Sequence, residues 1–209
     1  KEWYMVIANH QSWVDILVLQ RVLDGKVPFL KFFLKQQLIF VPIIGLAWWA
    51  LDFPFMKRYS KALLAKKPHL RGKDVAATQK SCEKFQLKPV SVVNFVEGTR
   101  FTPQKSAQQG NPYPSLLRPK AGGCAFALNA MSGRLNQLVN VTIAYPNGIP
   151  SFWDFICGRV NKIKLDISVE EIGAELVGDY ENDPQYKARF QQWLNDKWQE
   201  KQINLDRLK

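Results

Sequence analysis

Short apolar runs alternate with segments of helical spacing along this chain, and that alternation restricts its fold more than any other feature. Trp3 to Ala8, Val90 to Val96 and Leu138 to Tyr145 are each short enough for one buried strand, and Val27 to Leu30 and Asp52 to Lys57 are shorter candidates. Lys162 to Ile172 alternates Ile163, Leu165, Ile167 and Val169, the period of a half-buried strand. Between these runs, Ser12 to Leu23 places Trp13, Ile16, Leu17, Leu19 and Leu23 at helical spacing, and Lys73 to Leu87 reads as a helix stopped by Pro89. Gly122 to Met131 reads as a small-residue helix, and Pro184 to Leu205 as an amphipathic one with Tyr186, Phe190, Trp193, Leu194 and Trp198 on one stripe. Strands interleaved with helices predict an α/β fold, a central mixed β-sheet flanked by helices. At 209 residues the chain predicts a single domain, 1-209, with residues 147 to 209 completing it.

Charge narrows the partners. Lys and Arg number 29 against 18 Asp and Glu, a net +11 that favours phosphate-bearing ligands: nucleic acid, anionic lipid or phosphorylated small molecules. Residues 57 to 88 hold ten cations against Asp74 and Glu83, while residues 165 to 209 hold six cations against ten acids, so the charge is concentrated in one region. The sequence has no Lys/Arg-rich recognition helix, RNP-like aromatic strand or zinc spacing, so no nucleic-acid partner is expected. Cys82, Cys124 and Cys157 are odd in number and far apart, which supports neither a disulfide framework nor a CxxC site. The two histidines, His10 and His69, stand in no metal-ligand pattern, so no metal site is expected. His69, beside Pro68 in the basic stretch, reads as a solvated residue.

Gln36 to Leu51 is free of charge for 16 residues but is broken by Pro42 and Gly45, short of the about 20 apolar residues that span a bilayer. Its Trp48 and Trp49 beside a basic run suit an interfacial segment, and a buried core helix gives the same pattern. Because the chain opens at Lys1 directly on a strand-like run, a membrane segment is expected upstream of it.

Two strand-to-loop junctions carry chemistry. The first reads Asn9-His10-Gln11-Ser12-Trp13-Val14-Asp15. Five residues turn about 140° on a helix, so His10 and Asp15 reach one another only if the histidine precedes the helix. With Ser12 as N-cap, Asp15 sits in the first turn, from which a carboxylate can fix the imidazole tautomer and leave the other nitrogen to take a proton. The plain alternative is a capping pair beside a surface histidine. The second junction, Glu97-Gly98-Thr99-Arg100, supplies a carboxylate, a flexible backbone, a hydroxyl and a guanidinium at the end of a buried strand. Ligands of open α/β sheets bind outside such strand ends, and Arg100 suits phosphate, although Glu97 and Arg100 also read as a structural ion pair. Phe101 to Pro119, rich in Gln, Pro, Gly and Ser, reads as a long loop.

Asn9-His10-Gln11-Ser12 with Asp15 resembles the HxxxxD motif of the glycerolipid acyltransferases, and Glu97-Gly98-Thr99-Arg100 matches that family's EGTR motif in the right order. Phe55-Met56-Lys57-Arg58 falls where the family has an aromatic and basic block, and Val141 to Pro146 resembles its fourth block. The resemblance covers residues 3-146 and points to the branch of 1-acylglycerol-3-phosphate and lysophospholipid acyltransferases. It implies the glycerolipid acyltransferase type of α/β fold, His10 and Asp15 as catalytic pair, and Arg58, Glu97, Gly98, Thr99, Arg100 and Lys120 as substrate-binding residues. Within that set Glu97 is expected to position Arg100 and nearby backbone, and Lys120 to touch either phosphate or solvent.

The implied reaction moves a fatty acyl group from an acyl thioester to the free hydroxyl of lysophosphatidic acid, giving phosphatidic acid without an acyl-enzyme. Acyl-CoA or acyl carrier protein is the donor, no cofactor is expected, and the oxyanion is met by backbone N–H groups of the two turns. The implied partners are a lysophospholipid acceptor, the thioester donor and an anionic membrane surface, with the protein on the cytoplasmic face, the inner membrane in a bacterium. Another lysophospholipid acceptor, a thioester hydrolase and an anionic-surface binding module remain as alternatives.

Overall fold

The computed structural model describes residues 2–209 apart from 33, 36–38, 41–43, 52, 54, 57–84, 86, 87, 132 and 181. In chain order its elements are β1 (Trp3–Ala8), α1 (Val14–Leu23), β2 (Leu30–Phe32), β3 (Leu34–Lys35), α2 (Ile44–Ala50), β4 (Phe55–Met56), β5 (Ser91–Phe95), α3 (Pro103–Gln108), α4 (Ala121–Ala130), β6 (Leu135–Ala144), α5 (Phe152–Ile156), β7 (Lys164–Glu171), a 3-10 turn (Ala174–Leu176) and α6 (Pro184–Leu208). Five strands form a mixed sheet in the order β2-β5-β1-β6-β7, and β3 and β4 form a separate parallel pair. β2, β5, β1 and β6 run parallel, and β7 returns antiparallel on β6.

β1 lies at the centre, covered on both sides, which is why its sequence is an unbroken apolar run. Met5 and Ile7 point into a core shared with α4 and α6, while Val6 and Ala8 point into one shared with α1. On the first side, α6 lays Tyr186, Phe190, Leu194 and Trp198 inward at steps of one turn, and Leu205 two turns further on. Its start is fixed by Asp183, whose carboxylate accepts from Gln185 and Tyr186 N–H, with Pro184 at the first helical position. α4 is built of small residues because it lies close to β5: a Cβ at Gly123 would stand 2.8 Å from Asn94 Nδ2.

Several expectations change. α1 begins at Val14 with Trp13 at its cap; Ser12 Oγ still accepts from Val14 N–H at 3.2 Å, but Asp15 is one position nearer the helix start than a Ser12 cap implies. The stretch 101 to 119 is not all loop, since Thr102 caps α3 by accepting from Lys105 N–H. The Val27 to Leu30 strand lies at Leu30–Phe32, and of the Asp52 to Lys57 candidate the described residues place Phe55–Met56 in a strand and Phe53 outside it. In the uncharged run Trp48 packs against the core, whereas Phe40, Leu46 and Trp49 are 82%, 65% and 62% exposed, so the segment is neither wholly core nor wholly surface. The helix expected at Lys73 to Leu87 lies almost wholly outside the described residues, as do Arg58, His69 and Cys82 entirely.

Candidate active site

Parallel pairing sets Ala8 of β1 opposite Phe95 of β5, and both strands end there. His10 and Glu97 therefore leave the sheet side by side, each two residues past its strand. The second loop holds the histidine backbone at both ends. His10 N–H donates to Glu97 Oε1 at 3.0 Å, and Phe101 N–H donates to the His10 carbonyl at 2.7 Å. The other Glu97 oxygen accepts from Leu117 N–H at 3.0 Å. Glu97 is wholly buried, and burial pushes its carboxyl up to about 8 even though both N–H groups favour the charged form.

The imidazole lies flat against Phe95, ring centroids 4.1 Å apart and planes 18° from parallel. From the first turn of α1, Asp15 reaches back so that Oδ2 accepts from His10 Nδ1 at 2.9 Å, Gln11 N–H at 2.6 Å and Ser12 N–H at 2.8 Å. Oδ1 accepts from the Tyr145 hydroxyl at 2.5 Å, just past the end of β6. Four donors on one carboxylate at a helix start suit a charged acceptor. Nδ1 then carries the hydrogen, and Nε2 is the basic nitrogen, with no hydrogen-bond partner among the described residues. Burial, reinforced by Asp15, pushes the Tyr145 phenol far above its ordinary value, so it stays a donor. On the other flank Asn9 bonds both backbone groups of Ile143, at 2.9 and 2.8 Å, and locks the end of β1 to β6.

Cations ring the second loop. The Arg100 guanidinium lies 5.1 Å from the centroid of Trp13, so it stands over the first motif. Lys105 of α3 donates to Thr99 Oγ1 at 2.8 Å and to the Arg100 carbonyl at 3.0 Å. Gly98 takes φ of 70° and lies against the Lys120 side chain, whose Nζ would be 3.6 Å from a Cβ there. Lys120 N–H in turn donates to the Val96 carbonyl at 2.8 Å.

The sequence profile of a family described as Acyltransferase matches residues 1–146, the part of the chain that carries both loops. The chain belongs to the acyltransferase family. Among its curated relatives, 1-acyl-sn-glycerol-3-phosphate acyltransferase 2 of Brassica napus is 24% identical over 99% of this chain and 52% of its own length. The mouse (Mus musculus) 1-acyl-sn-glycerol-3-phosphate acyltransferase gamma is 27% identical over 96% of this chain and 52% of its own. Lysocardiolipin acyltransferase 1 of Danio rerio is 24% identical over 97% and 52%. The chain thus spans about half the length of the relatives it matches.

Within this acyltransferase-family chain, the structure brings His10, Asp15, Glu97, Gly98, Thr99, Arg100 and Lys120 to one end of the sheet; Arg58 lies outside the described residues. One expected pairing changes. Glu97 holds the His10 and Leu117 backbones, and Arg100 turns away to Trp13, so the two are not an ion pair among the described residues. Tyr145, Asn9 and Lys105 join the site without having been expected there from the sequence. Lys105 was findable from Thr102-Pro103, a capping residue before a proline at the first helical position. α5 was not expected either, although Ser151 and Asp154, which form a capping box, signal its start. Ser12 Oγ donates to the Pro150 carbonyl at 2.7 Å and ties that segment to the first motif. Among the described residues no helix is long and apolar enough to cross a membrane, and no group of three or more His, Cys, Asp or Glu side chains is arranged to hold a metal.

Proposed function

We propose that this chain transfers a fatty acyl group from an acyl thioester, acyl-CoA or acyl carrier protein, to the free hydroxyl of lysophosphatidic acid. The observation that carries the reading is the His10–Asp15 pair, with its free Nε2, beside a cationic loop. Nε2 takes the proton of the acceptor hydroxyl while that oxygen forms a bond to the thioester carbonyl carbon, and Asp15 stabilises the charged ring. The carbon–sulfur bond then breaks, and the departing thiolate takes the proton. No protein nucleophile and no cofactor enter this scheme.

Arg100, Lys120 and Lys105 attract the acceptor phosphate and orient its hydroxyl, and Gly98 keeps that approach open. The backbone N–H groups of Thr99 and Arg100 in the second turn have no hydrogen-bond partner among the described residues, which suits them to the oxyanion; those of Gln11 and Ser12 are committed to Asp15.

An anionic bilayer surface is the proposed partner. Trp13, Trp49 and, on α5, Phe152, Trp153 and Ile156 expose apolar area, and α5 is joined to the first motif through Ser12 and Pro150. Cations near such a surface add about 1 kcal/mol each.

The test supplies acyl thioester with and without lysophosphatidic acid and measures thiol release. Acyl transfer releases thiol only with acceptor and yields phosphatidic acid. Release without acceptor identifies a thioester hydrolase, and no release in either arm leaves a binding module. The name of the Danio rerio relative favours one second reading, transfer to another lysophospholipid, which a panel of lysolipids separates by product mass.

A further inference from the structure

Three contacts hold the imidazole of His10. Glu97 and Phe101 fix its backbone, and Asp15 fixes Nδ1. A ring held at one nitrogen can still tilt about that bond, and the third contact removes this freedom. Phe95, the last residue of β5, lies against the face of the ring, centroids 4.1 Å apart and planes 18° from parallel. Phe95 is itself backed from the next strand. The Phe32 ring of β2 follows it at 6.0 Å and 21°, and the Phe53 ring follows Phe32 at 6.3 Å and 8°. Phe32 and Phe53 are each 6% exposed and belong to the core that α1 covers, so the stack of rings is held by packing at the end away from the histidine.

The face contact acts on charge as well as on position. When Nε2 takes the proton of the acceptor hydroxyl, the imidazole becomes a cation. A phenyl ring is negative on its face and attracts a cation within about 6 Å of its centroid, more strongly where water is excluded. The His10 side chain is 14% exposed, so little water screens the contact. This attraction grows as the proton arrives, which is the differential interaction that speeds a proton transfer. The ionisable groups around the first motif are Asp15 on Nδ1, with Tyr145 behind it, Glu97 on the backbone N–H and Arg100 over Trp13. The contact on the ring face is that of Phe95. We infer that Phe95 is a positioning residue for the candidate active site: its face sets the plane of the His10 imidazole, so that Nε2 keeps one aim, and stabilises that ring once it is protonated.

The inference rests on the proposed acyl transfer only in its kinetic arm. The first arm needs no substrate. The chain has two histidines, His10 and His69, so the His10 imidazole can be followed across pH by proton NMR of the full chain, assigned with His69→Gln. In Phe95→Leu its titration is expected to move to lower pH by about half a unit or more, because the protonated ring loses its partner. An unmoved titration, or one moved to higher pH, overturns the inference whatever the chain catalyses. The second arm places a trifluorinated phenylalanine at position 95, which keeps the shape of the ring and weakens the negative charge of its face. The titration is expected to move in the same direction. That arm decides the matter if Phe95→Leu fails to fold, and a titration equal to that of the wild type again overturns the inference. In the kinetic arm, Phe95→Leu is expected to lower kcat about three- to tenfold with acceptor KM little changed, and to carry the acid limb of kcat/KM to lower pH together with the titration. A loss confined to KM overturns the positioning role. A limb that stays while the titration moves supports the contact and overturns the histidine base.

Discussion

The backbone N–H of His10 donates to Glu97 Oε1 at 3.0 Å, so the acid of the second motif acts on the position of the histidine. Glu97→Ala strands the N–H groups of His10 and Leu117 in a dry site. Each unpaired group costs about 1–3 kcal/mol, so chemical denaturation is expected to show a loss of several kcal/mol, with kcat falling further than KM rises. Unchanged stability would mean that the pairing contributes nothing.

Asp15→Asn keeps the shape of the side chain but puts an amide where four donors converge. The ring loses its carboxylate partner, and kcat is expected to drop by about 10²–10⁴ at little cost in acceptor KM. Tyr145→Phe removes only the donor to Oδ1, and is expected to cost about 1 kcal/mol of stability and a smaller part of the rate. Equal kinetic effects in the two variants would contradict the ranking.

Much of this arrangement was legible because strands buried on both sides leave continuous apolar runs, which placed β1, β5 and β6 and so the ends where His10 and Glu97 stand. The rest depends on contacts that no local pattern records. Tyr145 meets Asp15 across 130 residues, and Lys201 is a buried lysine one turn past Trp198 on a helix whose other charged residues are exposed or, like Lys197, partly exposed. α3 was hidden by the prolines and glycines around it, although Thr102 and Pro103 mark its start. The cap of α1 falls at Trp13, although the Ser12 oxygen accepts from Val14 N–H while its hydroxyl donates to the Pro150 carbonyl.

Arg100→Ala removes an exposed cation from the loop beside the histidine. The expected outcome is chiefly a higher KM for the acceptor, with kcat less affected, and a weaker dependence of KM on salt. Lys105→Ala is expected to act in the same direction, through the loss of its bonds to Thr99 and Arg100. Steady-state kinetics at two ionic strengths measure both, and an unchanged KM would move the phosphate contact elsewhere.

Trp153→Ser and Ile156→Ser reduce the apolar area exposed by α5. Flotation with vesicles containing anionic lipid is expected to recover less of the variant protein, while transfer to a dispersed short-chain acceptor is retained. Undiminished recovery would remove α5 from the membrane surface.

Burial pushes the Cys124 thiol up to about 12, whereas Cys157 is exposed. Alkylation of the folded chain followed by peptide mapping is expected to find label on Cys157 and none on Cys124 until denaturant is added. Label on native Cys124 would contradict the packing of α4.

His10→Ala is the most direct test of a histidine base. With circular dichroism showing the fold unchanged, acceptor-dependent thiol release is expected to fall by about 10²–10⁴, the contribution of a positioned base. Turnover near that of the wild type would contradict the account.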